Sequence, residues 1–438
     1  MYAFLATAAA AFEPYELRTV QDAKRTTVWT EWKDAISEEV KSLRKNKTWQ
    51  LKKRSQISSK ANILPGRWVF KLKRGPNGKI LKYKARWVVK GYRQEEGSDY
   101  TETFASVVKP MSYKAIFAIA AALDYEIEQM DVKTAFLYGL IKETVYVEQP
   151  HEFEEGDDVC LLKKSLYGLK QSPRTYVFIR GNTFIAVYVD DLLIVGLRKK
   201  EVSEIKSQLA KRFEMSDLGP CAYYLGMTVR RDRVNRKIFL SQQAYIEKFL
   251  RQHNMWEQKV RTTPIDSSAK IQPAEEGYIA PDELRTKYQS AVGSLMYAML
   301  GTRPDIAYSV SVVSRFCANP TEEHWKLVER IMAYLRHTIQ FELVYHGDLQ
   351  LLSGYTDADW AGDIETRRST SGWVFSLGSG AISWSSKRQT RVALSTVEAE
   401  YIGETQAAKE AIWLKSLLDQ ILPDSEKGPQ ATIIHCDN

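Results

Sequence analysis

Cysteine is scarce and scattered in this chain. Its four cysteines, Cys160, Cys221, Cys317 and Cys436, stand 61, 96 and 119 positions apart in 438 residues. No C-x-x-C pair exists, and the six histidines do not cluster with the cysteines. That excludes a zinc ribbon, a zinc knuckle and a disulfide framework, and it suits a reducing compartment. Long apolar runs are missing too. None approaches the ~18 residues of a membrane span, so no membrane partner is expected. Met1 to Phe12 is apolar apart from Thr7 but lacks the basic flank of a signal peptide, and it reads as a ragged start to the chain. There is no internal repeat and no low-complexity tract. With 44% apolar and 26% charged residues, the composition is that of a globular protein, long enough for about two to three domains.

Acidic residues are absent where they would matter most. From Lys41 to Arg93 the chain carries 18 Lys and Arg and no Asp or Glu, while the remainder holds 44 basic against 54 acidic residues. A segment so one-sided cannot neutralise itself, and it attracts a polyanion. Aromatics interleave the cations, as in Arg67-Trp68-Val69-Phe70-Lys71-Leu72-Lys73. Alternation at period two predicts strands with one buried and one basic face, which would track phosphates or simply keep the surface soluble. Asn77-Gly78, after Gly75-Pro76, predicts a hairpin turn between two such strands.

Further along, Met111–Tyr125 reads as a buried helix and Tyr125–Met130 as a strand ending at Asp131. Helical spacing is expected over Lys199–Phe213, Ile238–Phe249, Leu284–Leu300 and Trp325–His337, with Tyr288, Val292, Leu295, Met296 and Met299 sharing one face. Ala269–Pro281 reads as a linker. Beyond Gly347 the pattern changes to short strands (Leu352–Thr356, Gly372–Leu377, Ala381–Ser385), a helix over Val397–Ile421 and a last strand over Ala431–Cys436. A boundary is expected near residue 350.

Three acidic clusters lie at the ends of apolar strands, where charge is costly unless paired or metal-bound. The first is Asp131, in Met130-Asp131-Val132-Lys133-Thr134-Ala135-Phe136. In the second, Tyr188-Val189-Asp190-Asp191 interrupts the apolar run Phe184–Val195, predicting a hairpin with paired carboxylates at its tip. Asp131 and Asp190 on adjacent strands could hold two Mg²⁺ ions, as phosphoryl transfer requires. The third comprises Asp357 and Asp359 in Tyr355-Thr356-Asp357-Ala358-Asp359-Trp360, Glu398 and Glu400 in Glu398-Ala399-Glu400, and Asp437 after Cys436. Glu398 falls on a different helix face from Glu400, whereas Asp359 shares the face of Asp357 and stays an alternative ligand.

Tyr188-Val189-Asp190-Asp191 resembles the Y-x-D-D motif of reverse transcriptases. Met130-Asp131-Val132-Lys133-Thr134-Ala135-Phe136-Leu137 resembles the first palm motif of copia-type LTR retrotransposons. Ser165-Leu166-Tyr167-Gly168-Leu169-Lys170-Gln171-Ser172-Pro173-Arg174 is similar to the next palm motif, and Tyr83-Lys84-Ala85-Arg86-Trp87-Val88-Val89-Lys90-Gly91 to the fingers signature. The third cluster resembles the ribonuclease H domain that follows this polymerase, so the resemblance covers about residues 29 to 438.

The resemblance implies an α+β fold. Its parts would be an N-terminal extension (1–28), reverse-transcriptase fingers and palm (29–240), a helical thumb or connection (241–350) and a C-terminally truncated ribonuclease H-like module (351–438). It further implies that Asp131, Asp190 and Asp191 hold Mg²⁺, with Mn²⁺ as the substitute, and that Asp357, Glu400 and Asp437 form a second metal site. Lys73, Arg86 and Tyr167 would serve the incoming deoxynucleoside triphosphate, and Phe136 would act as the steric gate against a 2′-OH. The implied partners are an RNA or DNA template with its primer, deoxynucleoside triphosphates and an RNA–DNA hybrid. The implied location is a cytoplasmic particle or the nucleus. Two departures stand out. Only 14 residues separate Pro173 from Tyr188, too few for the family's palm helix, so an internal deletion or a wrongly joined gene model near 174–176, and impaired synthesis, are expected. The helix and last acidic ligand of the nuclease module are not found after Asp437. Neither an Asp-Thr-Gly protease signature nor a zinc-binding integrase module is present.

Overall fold

A computed structural model describes residues 17, 19–59, 61–74, 79–100, 112–132, 141, 143–170, 175–188, 190–266, 271–347, 352–422 and 431–437. The basic segment folds as its alternation dictates. Helix α1 (Val20–Lys24) leads into α2 (Trp29–Lys45), then β1 (Trp49–Lys53), β2 (Ile63–Leu64) and a long antiparallel hairpin of β3 (Gly66–Arg74) and β4 (Ile80–Val89). Trp68 pairs with Trp87, Phe70 with Ala85 and Leu72 with Tyr83 on one face. That face buries against α2, where Trp32 meets the rings of Phe70 and Tyr83 edge-on. The expected turn at Asn77-Gly78 lies outside the described residues.

Helix α3 (Ser112–Ala122) is buried on every side, and β5 (Glu126–Val132) follows it. After β6 (Tyr146–Val147) and β7 (Asp158–Leu162), which join β1 and β2 in a sheet of order β1-β7-β6-β2, come β8 (Thr175–Arg180), β9 (Thr183–Tyr188) and β10 (Asp191–Gly196). With β11 (Met215–Pro220) they form an antiparallel five-stranded sheet of order β11-β5-β10-β9-β8. Period two sorts its side chains. Ile127, Leu193 and Val195 face α3, while Met130, Leu192 and Ile194 pack with Val202 of α4 (Lys199–Arg212). On the α4 side Lys206 forms a buried ion pair with Glu128.

Strands β12 (Tyr223–Tyr224), β13 (Met227–Asp232) and β14 (Lys237–Ser241) build a further sheet. This corrects the helix expected over Ile238–Phe249. Ile238 and Leu240 belong to β14, and only Gln243–Gln252 is helical, as α5. The reason is non-local: β14 sits between β13 and β15 (Leu343–His346), a partner about a hundred residues away. Helices α5, α6 (Asp282–Gly301), α7 (Ala307–Ser314) and α8 (Glu322–His337) are thus inserted between two adjacent strands, and they share their own apolar core. Tyr288, Val292 and Leu295 lie in it as expected, but Met296 is exposed because α6 turns that position outward.

The last sheet has the order β18-β17-β16-β19, from β16 (Ser353–Ala358), β17 (Thr370–Leu377), β18 (Gly380–Arg388) and β19 (Ile433–His435). Its pairs are antiparallel except β16 with β19. Helix α9 (Thr396–Ile421) covers one face. One apolar cluster runs from α3 through β14 and β15 to β17, β18 and α9. At its centre Lys114 of α3 is fully buried. Its Nζ donates to the Leu300 carbonyl at 2.7 Å and lies 3.5 Å from the Trp384 ring centre. The Trp384 indole donates to the Met299 carbonyl at 3.1 Å. The negative end of the α6 dipole and an aromatic face together accommodate the cation, whose pKa burial drives well below the usual lysine value.

Candidate active sites

The β9–β10 hairpin carries its carboxylates where the sequence places them. Asp191 opens β10 and is the direct cross-strand partner of Asp131, so both project from one face of the sheet, beyond Leu193 and Gln129. Asp190 occupies the turn, and its carbonyl accepts the Val132 N–H at 2.8 Å, locking the turn to the end of β5. Burial raises the pKa of Asp131, and the Asp190 charge adds to that rise. Burial also raises Asp191, which feels both Asp190 and Asp131. Three carboxylates thus feel one another's charge at the end of a strand pair, although their oxygens do not all lie within 4.8 Å of one another.

Facing them is the outer face of the β3–β4 hairpin. Lys71 pairs directly with Lys84 and Lys73 with Lys82, and Arg67 and Arg86 lie in the same row. Like charges placed opposite one another destabilise a sheet, so this face is built for an anion that is not part of the strands themselves. Arg86 reaches to 3.6 Å from Asp190 and lies 4.8 Å from the centre of the Tyr167 ring. Lys73, Lys84 and Arg86 all lower the Asp131 pKa without cancelling its rise. Burial, then Arg86 and Lys73, pushes the Lys84 ammonium below its ordinary value. Tyr167 is pushed up to about 12, chiefly by burial, so it stays a neutral platform for the guanidinium.

The contact between the hairpin and residues 167–170 depends on two glycines. Gly168 has φ of +92°, and a Cβ there would sit 2.1 Å from the Val89 carbonyl oxygen. A Cβ on Gly91 would meet the Gly168 oxygen at 2.0 Å. Through this approach the Val89 N–H donates to the Tyr167 carbonyl at 2.8 Å, and the Lys170 N–H to Gln94 Oε1 at 2.7 Å. Residues 83–94 and 165–170 are therefore two halves of one joint. Phe136 lies outside the described residues.

The third cluster assembles only in part, with Asp357 outside the group of close donor atoms. Asp357 stands exposed on β16, Glu400 is buried on α9, and Asp437 follows β19. Glu400 Oε1 accepts the Ala358 N–H at 3.2 Å, and its Oε2 lies 3.7 Å from Cys436 Sγ. Donor atoms of Glu400, Cys436 and Asp437 lie within 4.8 Å of one another. Burial raises the Glu400 pKa, with Asp357 and Asp437 adding to it. Asp359 is engaged otherwise: it lies beyond the end of β16 and accepts the Thr370 N–H. Glu398 caps α9, accepting from the Leu394 N–H at 2.6 Å while its own N–H donates to Ser395 Oγ.

Sequence reasoning missed four contributors. Lys71 and Lys84 follow from the period-two row that contains Lys73 and Arg86. Gln129, whose Nε2 donates to Asp191 Oδ1 at 3.3 Å, lies two positions before Asp131 on the same face. Cys436 is signalled only by its place beside Asp437. Among the described residues no helix is long and apolar enough to cross a membrane.

Comparison with known proteins shows which family the chain resembles. The family model described as "Reverse transcriptase (RNA-dependent DNA polymerase)" matches in two blocks, residues 46–180 and 175–267. The chain is 44% identical to the retrovirus-related Pol polyprotein from transposon TNT 1-94 of Nicotiana tabacum, across 92% of this chain and 32% of that one. It is 36% identical to the Pol polyprotein from transposon RE1 of Arabidopsis thaliana, across 93% and 29%. The corresponding RE2 polyprotein is 34% identical across 100% and 31%. The chain therefore spans about a third of the length of these relatives. It belongs to the reverse transcriptase family, in the form carried by the Pol polyproteins of copia-type transposons.

Proposed function

We propose that the chain extends a primer with deoxynucleotides on an RNA or DNA template, and that its C-terminal module hydrolyses the RNA of the resulting hybrid. One observation carries this: Asp131, Asp190 and Asp191 share the end of one strand pair opposite a row of cations that the hairpin alone does not neutralise. The fingers, palm, helical connection and ribonuclease H-like module would follow the divisions expected from the sequence. Hard divalent ions suit both clusters, since the acidic donors are carboxylate oxygens whose pKa values are raised by burial first and by neighbouring carboxylates second. Mg²⁺, or Mn²⁺ in its place, held by Asp131, Asp190 and Asp191 and by Asp357, Glu400 and Asp437 would stabilise the attacking and leaving oxygens of each phosphoryl transfer.

The chain's own groups do the positioning. Lys73, Lys84 and Arg86 bind the triphosphate, and Tyr167 holds the Arg86 guanidinium flat. Phe136, five residues after Asp131, serves as the gate against ribonucleotides. The same reading locates the chain in a cytoplasmic particle or the nucleus.

A second reading is a nucleic-acid-binding remnant with little synthesis. It is favoured by the family match falling into two blocks that overlap at 175–180, next to the internal deletion expected near 174–176. Beside it, Phe178 and Ile179 on edge strand β8 are exposed. Primer extension on an RNA template with Mg²⁺, beside the Asp190→Asn variant, separates the two. Extension that vanishes in the variant supports the polymerase. Salt-sensitive binding without extension in either protein supports the remnant.

A further inference from the structure

The five-stranded sheet has two outer edges, and they are finished differently. β11 is blunted by a bulge between Asp217 and Gly219, by the Asp217 charge and by Pro220. β8 has none of these devices. Its register against β9 is unbroken from Thr175 to Arg180, it contains no proline, and Arg180 at its end is its only charge. Opposed residues of an antiparallel pair alternate between exchanging hydrogen bonds and not, and the two-residue turn at Gly181-Asn182 makes Arg180 and Thr183 a bonded pair. Thr175, Val177 and Ile179 therefore turn their N–H and C=O groups away from β9, and no described strand pairs with that edge. Such an edge is a template for a further strand. Beside it a cavity of about 300 Å³ opens between β8 and α4, lined by Phe178, Ile185, Ile205, Leu209 and Phe213. It has room for one large apolar side chain. Arg180 and Arg212 stand exposed on the same lining, which holds no carboxylate, and among the described residues neither makes an ion pair.

We propose that β8 receives an extended peptide of a partner protein as a sixth strand, with an aromatic side chain in the cavity and acidic side chains on Arg180 and Arg212. Three features specify that occupant. The open edge calls for a backbone in strand geometry, the cavity for an apolar anchor, and the two guanidiniums for carboxylates. Side chains on one face of a strand repeat every two residues, so the acids belong two positions to either side of the anchor. A nucleic-acid strand would answer the arginines but not the edge, and a second copy of β8 would bring another Arg180 instead of an acid. The lining includes none of the carboxylates of either cluster, so the surface is independent of the proposed chemistry.

The test uses the full chain and fluorescein-labelled, end-blocked peptides read by anisotropy. The probe is a short peptide with a central phenylalanine, glutamate at both second positions and threonine elsewhere. Its controls carry lysine for glutamate, or N-methyl groups on the backbone amides. The acidic peptide should bind saturably, the lysine peptide at least about tenfold more weakly, and the N-methylated one not at all. Bound peptide should slow hydrogen exchange at Val177 and Ile179. Val177→Pro removes an outward N–H while sparing the ladder to β9, and it should weaken the acidic peptide at least about tenfold. Arg180→Glu with Arg212→Glu should exchange the preferences of the two charged peptides, and these exposed sites decide the matter should Val177→Pro fail to fold by circular dichroism. Equal binding of the acidic and lysine peptides overturns the proposal. So does full binding of the N-methylated peptide, protection that leaves Val177 and Ile179 unchanged, displacement of the peptide by a single-stranded oligonucleotide, or no binding. Sedimentation of the chain alone covers the last alternative: self-association that Val177→Pro abolishes would make a second copy the occupant and overturn it too.

Discussion

The two carboxylate clusters use the same kind of ligand in opposite electrostatic settings. Asp131, Asp190 and Asp191 look across at Lys73, Lys84 and Arg86, and the Arg86 guanidinium reaches Asp190 at 3.6 Å. Asp357 and Asp437 instead act on a buried Glu400 steadied by a backbone N–H and a thiol. The difference follows from what each would hold. A triphosphate brings several negative charges to the first cluster, so cations must wait beside the acids. A scissile diester brings one charge to the second, and placing the acids suffices.

The largest expected effect breaks that comparison in both directions. Asp190→Asn should lower primer extension by about a thousandfold or more while primer–template binding survives, because a metal ligand is lost but the cationic face is not. Asp357→Asn should spare extension and abolish cleavage of the RNA strand, read on one labelled hybrid. If either substitution removes both activities, the clusters are not independent. Next in size is Arg86→Ala, expected to cut kcat/KM for the incoming nucleotide by about tenfold to a hundredfold, mostly through KM, as loss of a charge-assisted contact does. Lys71→Ala should leave that ratio alone and reduce the salt slope of template binding by about one.

Gly168→Ala tests the joint on which the comparison rests. A left-handed backbone and a carbonyl 2.1 Å from the new Cβ should cost about 2–3 kcal/mol, seen as a lower denaturation midpoint. Proton linkage gives a subtler contrast. Burial and mutual repulsion raise the pKa values of Asp131 and Asp191, so the folded chain binds protons more tightly there than the unfolded one. Their contribution is most favourable below the usual value of 3.8 and is lost as pH rises through the folded values. Without metal, the Tm of Asp131→Asn minus that of the parent should therefore grow with pH across this window, and added Mg²⁺ should reverse its sign at neutral pH. The smallest effect belongs to Glu398→Ala, which removes a helix cap worth about 0.5–1 kcal/mol and leaves nuclease metal binding unchanged.

Much of this was legible in the chain because the signals are local. A pair of aspartates between two apolar strands can only be a hairpin tip, and alternating cations and aromatics can only be a two-faced hairpin. The misread segment, Ile238–Phe249, fails for the opposite reason. Its first residues become β14 by pairing with β15, and nothing near Ile238 announces Leu343. The approach of Gly168 to Val89 was equally hidden, although both motifs were recognised separately. Lys114 in an alanine-rich helix gave no hint that it would meet a helix end and an indole ring.

That buried lysine ties α3, the end of α6 and β18 at a single point, within an apolar cluster that continues from α3 to α9. Under the proposed function it turns the two chemistries into a ruler, with the stretch of duplex between the newest base pair and the cut in the RNA set by packing at Lys114 rather than by the nucleic acid. Loosening that joint would change the length of the fragments released before it changed the rate of either reaction.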